Sequence, residues 1–186
     1  RTMIFPEWKG SKSIMVILAH PDDPEFFMGA TIAEWVKQGH KVSYLLLTKG
    51  QRGVSPEYPD PANLDVVRVL EQQNAAAKLG VSKVEFLDYQ DGYLVPDLEA
   101  RKKVAREIRR LRPDIVATCD PLLIYQKGRI NHPDHRAAGQ IVIDAIFPAV
   151  GNPAFFPEQI NEGFRQHNVE ELWLSLPVEA NFEMEV

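Results

Sequence analysis

Cysteine is nearly absent from this 186-residue chain. Cys119 stands alone, so no disulfide can form within the chain, which suits a reducing cytoplasm. Long apolar runs are missing too: none approaches the roughly 18 residues that a membrane span requires. The opening residues 1–6 hold no signal-peptide core before Glu7 and Lys9 interrupt them. Basic excess is lacking, since the formal net charge is −5, and this argues against a nucleic-acid partner. No Gly-x-Gly-x-x-Gly follows the first apolar run. Asp22, Asp23 and Glu25 stand there instead and would repel phosphates, which disfavours a nucleotide-binding module. Internal repeats and low-complexity tracts are absent as well.

What remains is an ordinary soluble composition, 45% hydrophobic and 25% charged, long enough for one domain over residues 1–186 with a full core. The apolar period switches repeatedly between two kinds of element. Strands are expected at 14–19, 42–48, 84–87, 115–118 and 171–176. Helices are expected at 27–38, at 63–79 with Asn63 as cap and Gly80 as stop, at 98–111, and at 132–145 with Asn131 or His132 as cap. Residues 54–61 carry three prolines and read as a loop. Residues 147–163, rich in Pro, Phe and Asn, read as an irregular covering loop; whether it covers a site or makes a subunit contact in a homo-oligomer stays open. Strand, turn and helix in repetition predict an α/β fold, a Rossmann-like three-layer sandwich with a mostly parallel sheet and right-handed crossovers. The turns after the first four strands, at His20, Gly50, Asp88 to Asp91 and Asp120, then converge on the carboxyl edge, where such sheets bind ligands.

Two segments there carry chemistry. His20-Pro21-Asp22-Asp23 and His132-Pro133-Asp134-His135 each hold metal-capable side chains three residues apart. Alone, the first reads as a helix cap and the second as a surface pair; together, at one sheet edge, they read as halves of a single centre. Two imidazoles and a carboxylate with one open position suit a catalytic zinc, one per chain, with His20, Asp23 and His135 as ligands. Asp22 is then a carboxylate free to act as general base, and His132 an imidazole free to act as acid or to support an oxyanion. Asp134 is placed to orient a histidine from behind. His40 and His167 read as solvated residues, and Cys119 as a small buried hydrophobe.

In Ala19-His20-Pro21-Asp22-Asp23-Pro24-Glu25, Gly29-Ala30-Thr31 and Asn131-His132-Pro133-Asp134-His135-Arg136-Ala137-Ala138-Gly139, the chain resembles the LmbE-like, or PIG-L, N-acetylglucosamine deacetylase family. The resemblance implies a zinc-dependent hydrolase that removes acetyl groups from amino sugars or their conjugates. It implies the same ligands, base and acid, and adds Arg68 and Asp91 as contacts to sugar hydroxyls. Departures are Gln51, where members often carry Glu after the second strand, and Ile130, where some carry tyrosine that Tyr125 would have to replace. Gln51 is therefore expected at the substrate as well. Members also run on past the last strand, so a catalytic domain short of its C-terminal segment is expected. An esterase or phosphoesterase using the same metal is the alternative reading.

Overall fold

The computed structural model describes residues 8–54, 62–126 and 128–182. The expected loop at 54–61 lies, beyond Val54, outside the described residues, as do the opening residues 1–6. In chain order the elements are β1 (Ser13–Leu18), α1 (Asp23–Lys37), β2 (Lys41–Thr48), α2 (Leu64–Leu79), β3 (Lys83–Tyr89), α3 (Leu98–Leu111) and β4 (Ile115–Cys119). Then follow β5 (Tyr125–Gln126), β6 (Arg129–Ile130), α4 (Pro133–Asp144), α5 (Pro157–Asn161) and β7 (Glu171–Ser175). The main sheet runs β3-β2-β1-β4-β7, and its four pairings are all parallel.

β1 sits at the centre because it is apolar on both faces. Ile14, Val16 and Leu18 pack with Met28, Ile32 and Trp35 of α1 and Ala76 of α2. Met15 and Ile17 pack with Val104 and Ile108 of α3 and Ile141 and Val142 of α4. Period-two alternation thus divides the core into two layers, each closed by a helix pair. The chain moves outward from β1 through β2 to β3, then returns to lay β4 on the other side of β1. That reversal is the switch point of a doubly wound sheet, and the crevice beyond it is where such folds hold ligands.

Some elements differ from expectation. α1 begins at Asp23 rather than Phe27, since Pro24 is tolerated in a first turn and Asp23 and Glu25 suit its positive end. Asn63 does precede α2, but in a left-handed conformation (φ 68°) with no capping bond from its side chain. α3 has the expected bounds, and the Asp97 side chain accepts the Ala100 N–H at 2.8 Å. The β5–β6 hairpin was not expected. Region 147–163 is not uniformly irregular: a kinked turn over Ala145–Val150, broken at Phe147 (φ −127°, ψ 126°), leads on to α5.

That region packs along α3. Arg109, 1% exposed in the last turn of α3, donates to the carbonyls of Ala149, Asn152 and Phe155 at 2.8–3.0 Å and to Gln159 Oε1 at 3.0 Å. With Gln159 Nε2 donating to the Lys102 carbonyl at 2.9 Å and Glu158 paired with Lys102, these bonds hold the segment along α3 from its second turn to its last. His40 is not solvated. It is 8% exposed, its Nδ1 accepts the Lys12 N–H at 3.1 Å, and its ring meets Trp8 edge-on at 5.1 Å. His167 is half-buried, with Nε2 2.6 Å from the Pro113 carbonyl. Cys119 is buried at the end of β4, and burial pushes its thiol pKa up. Among the described residues, no helix is long and apolar enough to cross a membrane.

Candidate metal centre

His20 follows β1 directly, and Asp23 opens α1. His132 caps α4 by accepting the Asp134 N–H on Nδ1 at 3.2 Å, which places His135 in the first helical turn. The two segments meet across the seam between β1 and β4. Gly139, one turn beyond His135, lets α4 come this close: a Cβ there would lie 2.3 Å from the Cys119 carbonyl oxygen and 3.1 Å from Pro121.

Asp23 lies between the histidines. Its Oδ2 accepts the His20 N–H at 2.8 Å and stands 3.4 Å from His20 Nδ1, while Oδ1 is 3.1 Å from His135 Nε2. The other nitrogen of each ring is anchored elsewhere. His20 Nε2 is 3.1 Å from both Asp134 Oδ2 and Asp91 Oδ1, and His135 Nδ1 is 3.0 Å from Asn131 Oδ1. With a proton on each anchored nitrogen, the unshared pairs of His20 Nδ1 and His135 Nε2 turn toward Asp23. Histidines held for metal binding are arranged in this way.

One ligand atom each from His20, His132 and His135 also falls within 4.8 Å of the others, as does one each from His20, Asp91 and Asp134. Asp91 and Asp134 are already engaged. Asp91 Oδ2 accepts the Arg52 N–H at 3.0 Å, and Asp134 accepts the Gly92 and Leu94 N–H groups at 2.7 and 3.2 Å. These bonds tie the segment after β3 to the head of α4, with His20 against both carboxylates.

Charge follows the geometry. Burial alone would lower the His20 pKa, but Asp134, Asp23 and Asp91 outweigh it and hold the value at about 11. Burial opposes ionisation of Asp23, yet the contacts from His135 and His20 bring its pKa to about 2. The His132 pKa is lowered, first by burial and then by the charge of His20.

Asp22, between the two, is half exposed and adopts φ 82°, a left-handed conformation that non-glycine residues seldom hold. Arg68 Nη2 donates to Asp22 Oδ2 at 2.6 Å and to the Pro21 carbonyl at 3.1 Å, and Nη1 reaches Glu71 at 3.0 Å. Burial raises the Asp22 pKa against the lowering pull of this guanidinium. Arg68, Asp22, Glu25 and Phe26 line a cavity of about 450 Å³. A second, of about 540 Å³, is lined by Gln51, Arg52, Val54, Gln90 and Asp91. Gln51 lies there but also ties the turn after β2 to the end of β3, donating to the Tyr89 carbonyl and accepting the Asp91 N–H, both at 3.3 Å. Tyr125 stands opposite Ile130 in the hairpin, and both are exposed.

Two participants were invisible to pattern reading. Asn131 reads from sequence only as a cap, whereas in the fold it lies just before α4 with its Oδ1 3.0 Å from His135 Nδ1. Gln72 carries no motif; its role comes from α2 packing over the turn after β1.

A diacetylchitobiose deacetylase of Thermococcus kodakarensis is 34% identical over 175 residues, covering 94% of this chain and 64% of that protein. A 1D-myo-inositol 2-acetamido-2-deoxy-alpha-D-glucopyranoside deacetylase of Catenulispora acidiphila is 30% identical, covering 80% of this chain and 52% of that protein. The solved N,N'-diacetylchitobiose deacetylase of Pyrococcus horikoshii superposes with a TM-score of 0.85 at 31% identity, covering 92% of this chain and 63% of that one. The chain spans less than two thirds of the length of each. The family model for GlcNAc-PI de-N-acetylase matches residues 15–146, both histidine segments included. The chain therefore belongs to the PIG-L, or GlcNAc-PI de-N-acetylase, family.

Proposed function

We propose that this protein is a zinc-dependent amide hydrolase that removes an N-acetyl group from an N-acetylglucosamine-type sugar or its conjugate. The observation that carries the reading is the paired anchoring of His20 and His135, which turns one nitrogen of each toward Asp23. Two imidazoles and a carboxylate fit one zinc ion, with His20, Asp23 and His135 as its ligands and an open fourth position. When bound, the ion supplies Lewis acidity and lowers the pKa of water. The relatives act, by their names, on acetylated amino sugars, which supports the substrate class.

The chain's own residues perform the proton work. Asp22, ionised and held by Arg68, takes a proton from the attacking water as the new C–O bond forms at the acetyl carbon. His132 uses Nδ1 to accept the Asp134 N–H, so in its neutral form the proton sits on Nε2. It thus offers a donor to the oxygen on which charge develops, and the proton taken by Asp22 can go to the departing amine as the C–N bond breaks. Asp134 and Asn131 hold His20 and His135 in the required tautomers. Arg68 and Asp91 line the two cavities and are proposed as contacts to sugar hydroxyls, which Asp91 would share with its bonds to His20 and the Arg52 N–H.

The test is acetate release from a panel of N-acetylglucosamine derivatives, N,N'-diacetylchitobiose among them, with zinc present and after chelation. Acetate release that chelation abolishes and zinc restores, at one zinc per chain by elemental analysis, is the expected result. No release from any panel member by zinc-loaded protein would sink the proposal, and two metals per chain would favour a phosphoesterase.

A further inference from the structure

We infer that Gln72 is a positioning residue that holds Asp22 in its left-handed conformation and so aims the general base, with Glu25 fixing the orientation of the Gln72 amide. The inference rests on the deacetylase reading for the word base, but the contact itself does not.

Gln72 is 2% exposed on α2, one helical turn beyond Arg68. Its Oε1 accepts the Asp22 backbone N–H at 2.6 Å. Its Nε2 donates to both oxygens of Glu25, at 3.0 and 3.1 Å. An amide can be flipped end for end, and a flipped Gln72 would set N–H against N–H at Asp22. Glu25 prevents this, because an ionised carboxylate accepts hydrogen bonds only. The Gln72 side chain is therefore locked in one orientation by a partner that lies in α1, three residues from Asp22.

The lock matters because of what it holds. A left-handed φ at a residue other than glycine persists where the surroundings over-determine it. The turn at 20–23 is fixed at three points: Asp23 accepts the His20 N–H, Gln72 accepts the Asp22 N–H, and Arg68 donates to the Pro21 carbonyl. Arg68 also grips the Asp22 carboxylate at 2.6 Å, so α2 holds Asp22 by both backbone and side chain. Without Gln72 the backbone grip is lost and a part-buried N–H loses its acceptor. Asp22 then relaxes toward ordinary φ values, which swings its carboxylate from its place. Asp23 keeps its own bonds to His20 and His135, so the ligands stay where they are.

The test uses three variants of the zinc-loaded chain: Gln72→Leu, Gln72→Glu, and the double exchange Glu25→Gln with Gln72→Glu. In Gln72→Leu, kcat for acetate release should fall about tenfold or more, equivalent to about 1.4 kcal/mol, with KM and zinc per chain held within about twofold. Gln72→Glu sets two carboxylates together and should lose as much. The double exchange keeps an acceptor for the Asp22 N–H and inverts the donor, so it should recover kcat to within about threefold of the parent. A purely structural role would lower thermal stability without this split and without rescue. Amide hydrogen exchange at Asp22 reads the same contact without turnover: slow in the parent and the double exchange, about tenfold faster in Gln72→Leu and Gln72→Glu. Unchanged kcat in Gln72→Leu beside an active parent, or unchanged exchange at Asp22 in both single variants, would overturn the inference. An inactive parent that still shows the exchange difference would overturn only the deacetylase reading.

Discussion

Gly139→Ala concentrates the link between packing and chemistry in one methyl group. The added Cβ would stand 2.3 Å from the Cys119 carbonyl oxygen, with Pro121 N and Cδ both at 3.1 Å. An ordinary carbon–oxygen contact needs roughly 1 Å more. The obstacles are the end of β4 and the proline after it, so no side chain can swing aside and α4 itself must move. Overpacking of this kind costs about 1–3 kcal/mol. At about 2–4 °C per kcal/mol for a chain of this size, the melting temperature should drop by about 2–12 °C. The shift also reaches the ligands, since His135 sits one turn back on the same helix while Asp23 stays with α1. A displacement near 1 Å exceeds the ~0.5 Å tolerance of a preorganised site. Zinc affinity should therefore weaken by about 10–100-fold, the range found when ligand orientation is disturbed. Thermal unfolding of the chelated protein measures the first effect and competitive zinc titration the second. If the variant melts within 1 °C of the parent and binds zinc within about twofold, the close seat of α4 does not set the ligand geometry.

Four further outcomes follow from the same geometry. Asp22→Asn should lower kcat by about 10²–10⁴-fold while zinc per chain by elemental analysis is unchanged; full activity would remove Asp22 as base. Arg68→Met removes the charge that pulls the Asp22 pKa down. Because Asp22 must be ionised to act, the acidic limb of the kcat/KM profile should move to higher pH, and an unmoved limb would contradict that control. Asn131→Ala frees His135 Nδ1, and zinc affinity measured by competition should fall about 10–100-fold. Arg109→Met strips a buried donor set from four backbone carbonyls and Gln159, costing on the order of 3 kcal/mol or more in chemical denaturation.

Much of this fold can be read from the chain because its signals are local. β1 and β4 are short, mostly apolar runs, as befits strands covered on both faces. α3 pairs a strong amphipathic stripe with a capping aspartate, and its bounds were correct at both ends. The two histidine segments were legible for a related reason: each carries its own spacing, and strand order alone brings them to one edge. The unread parts depend on distant partners. His40 is buried only because Trp8 and the Lys12 amide fold over it. Two-residue strands such as β5 and β6 have no period to detect. Region 147–163 takes its place from Lys102, Arg106 and Arg109 of α3, some forty to sixty residues earlier, and nothing in its own composition names those partners. Gln72 and Asn131 are ordinary polar residues until the tertiary structure sets them against Asp22 and His135.

The seam between β1 and β4 has a further consequence. Those strands share register at three positions, against six between β1 and β2, although both pairings lie at the centre of the sheet. The ligand segments sit just beyond this short pairing, His20 and Asp23 on one side and His135 on the other, more than a hundred residues apart along the chain. A bound cation would act there as a removable cross-link, closing a long loop as a disulfide would in a chain that has only one cysteine. Chelation should then loosen the molecule along this line before it opens elsewhere, so that hydrogen exchange rises first in the strand amides flanking the seam.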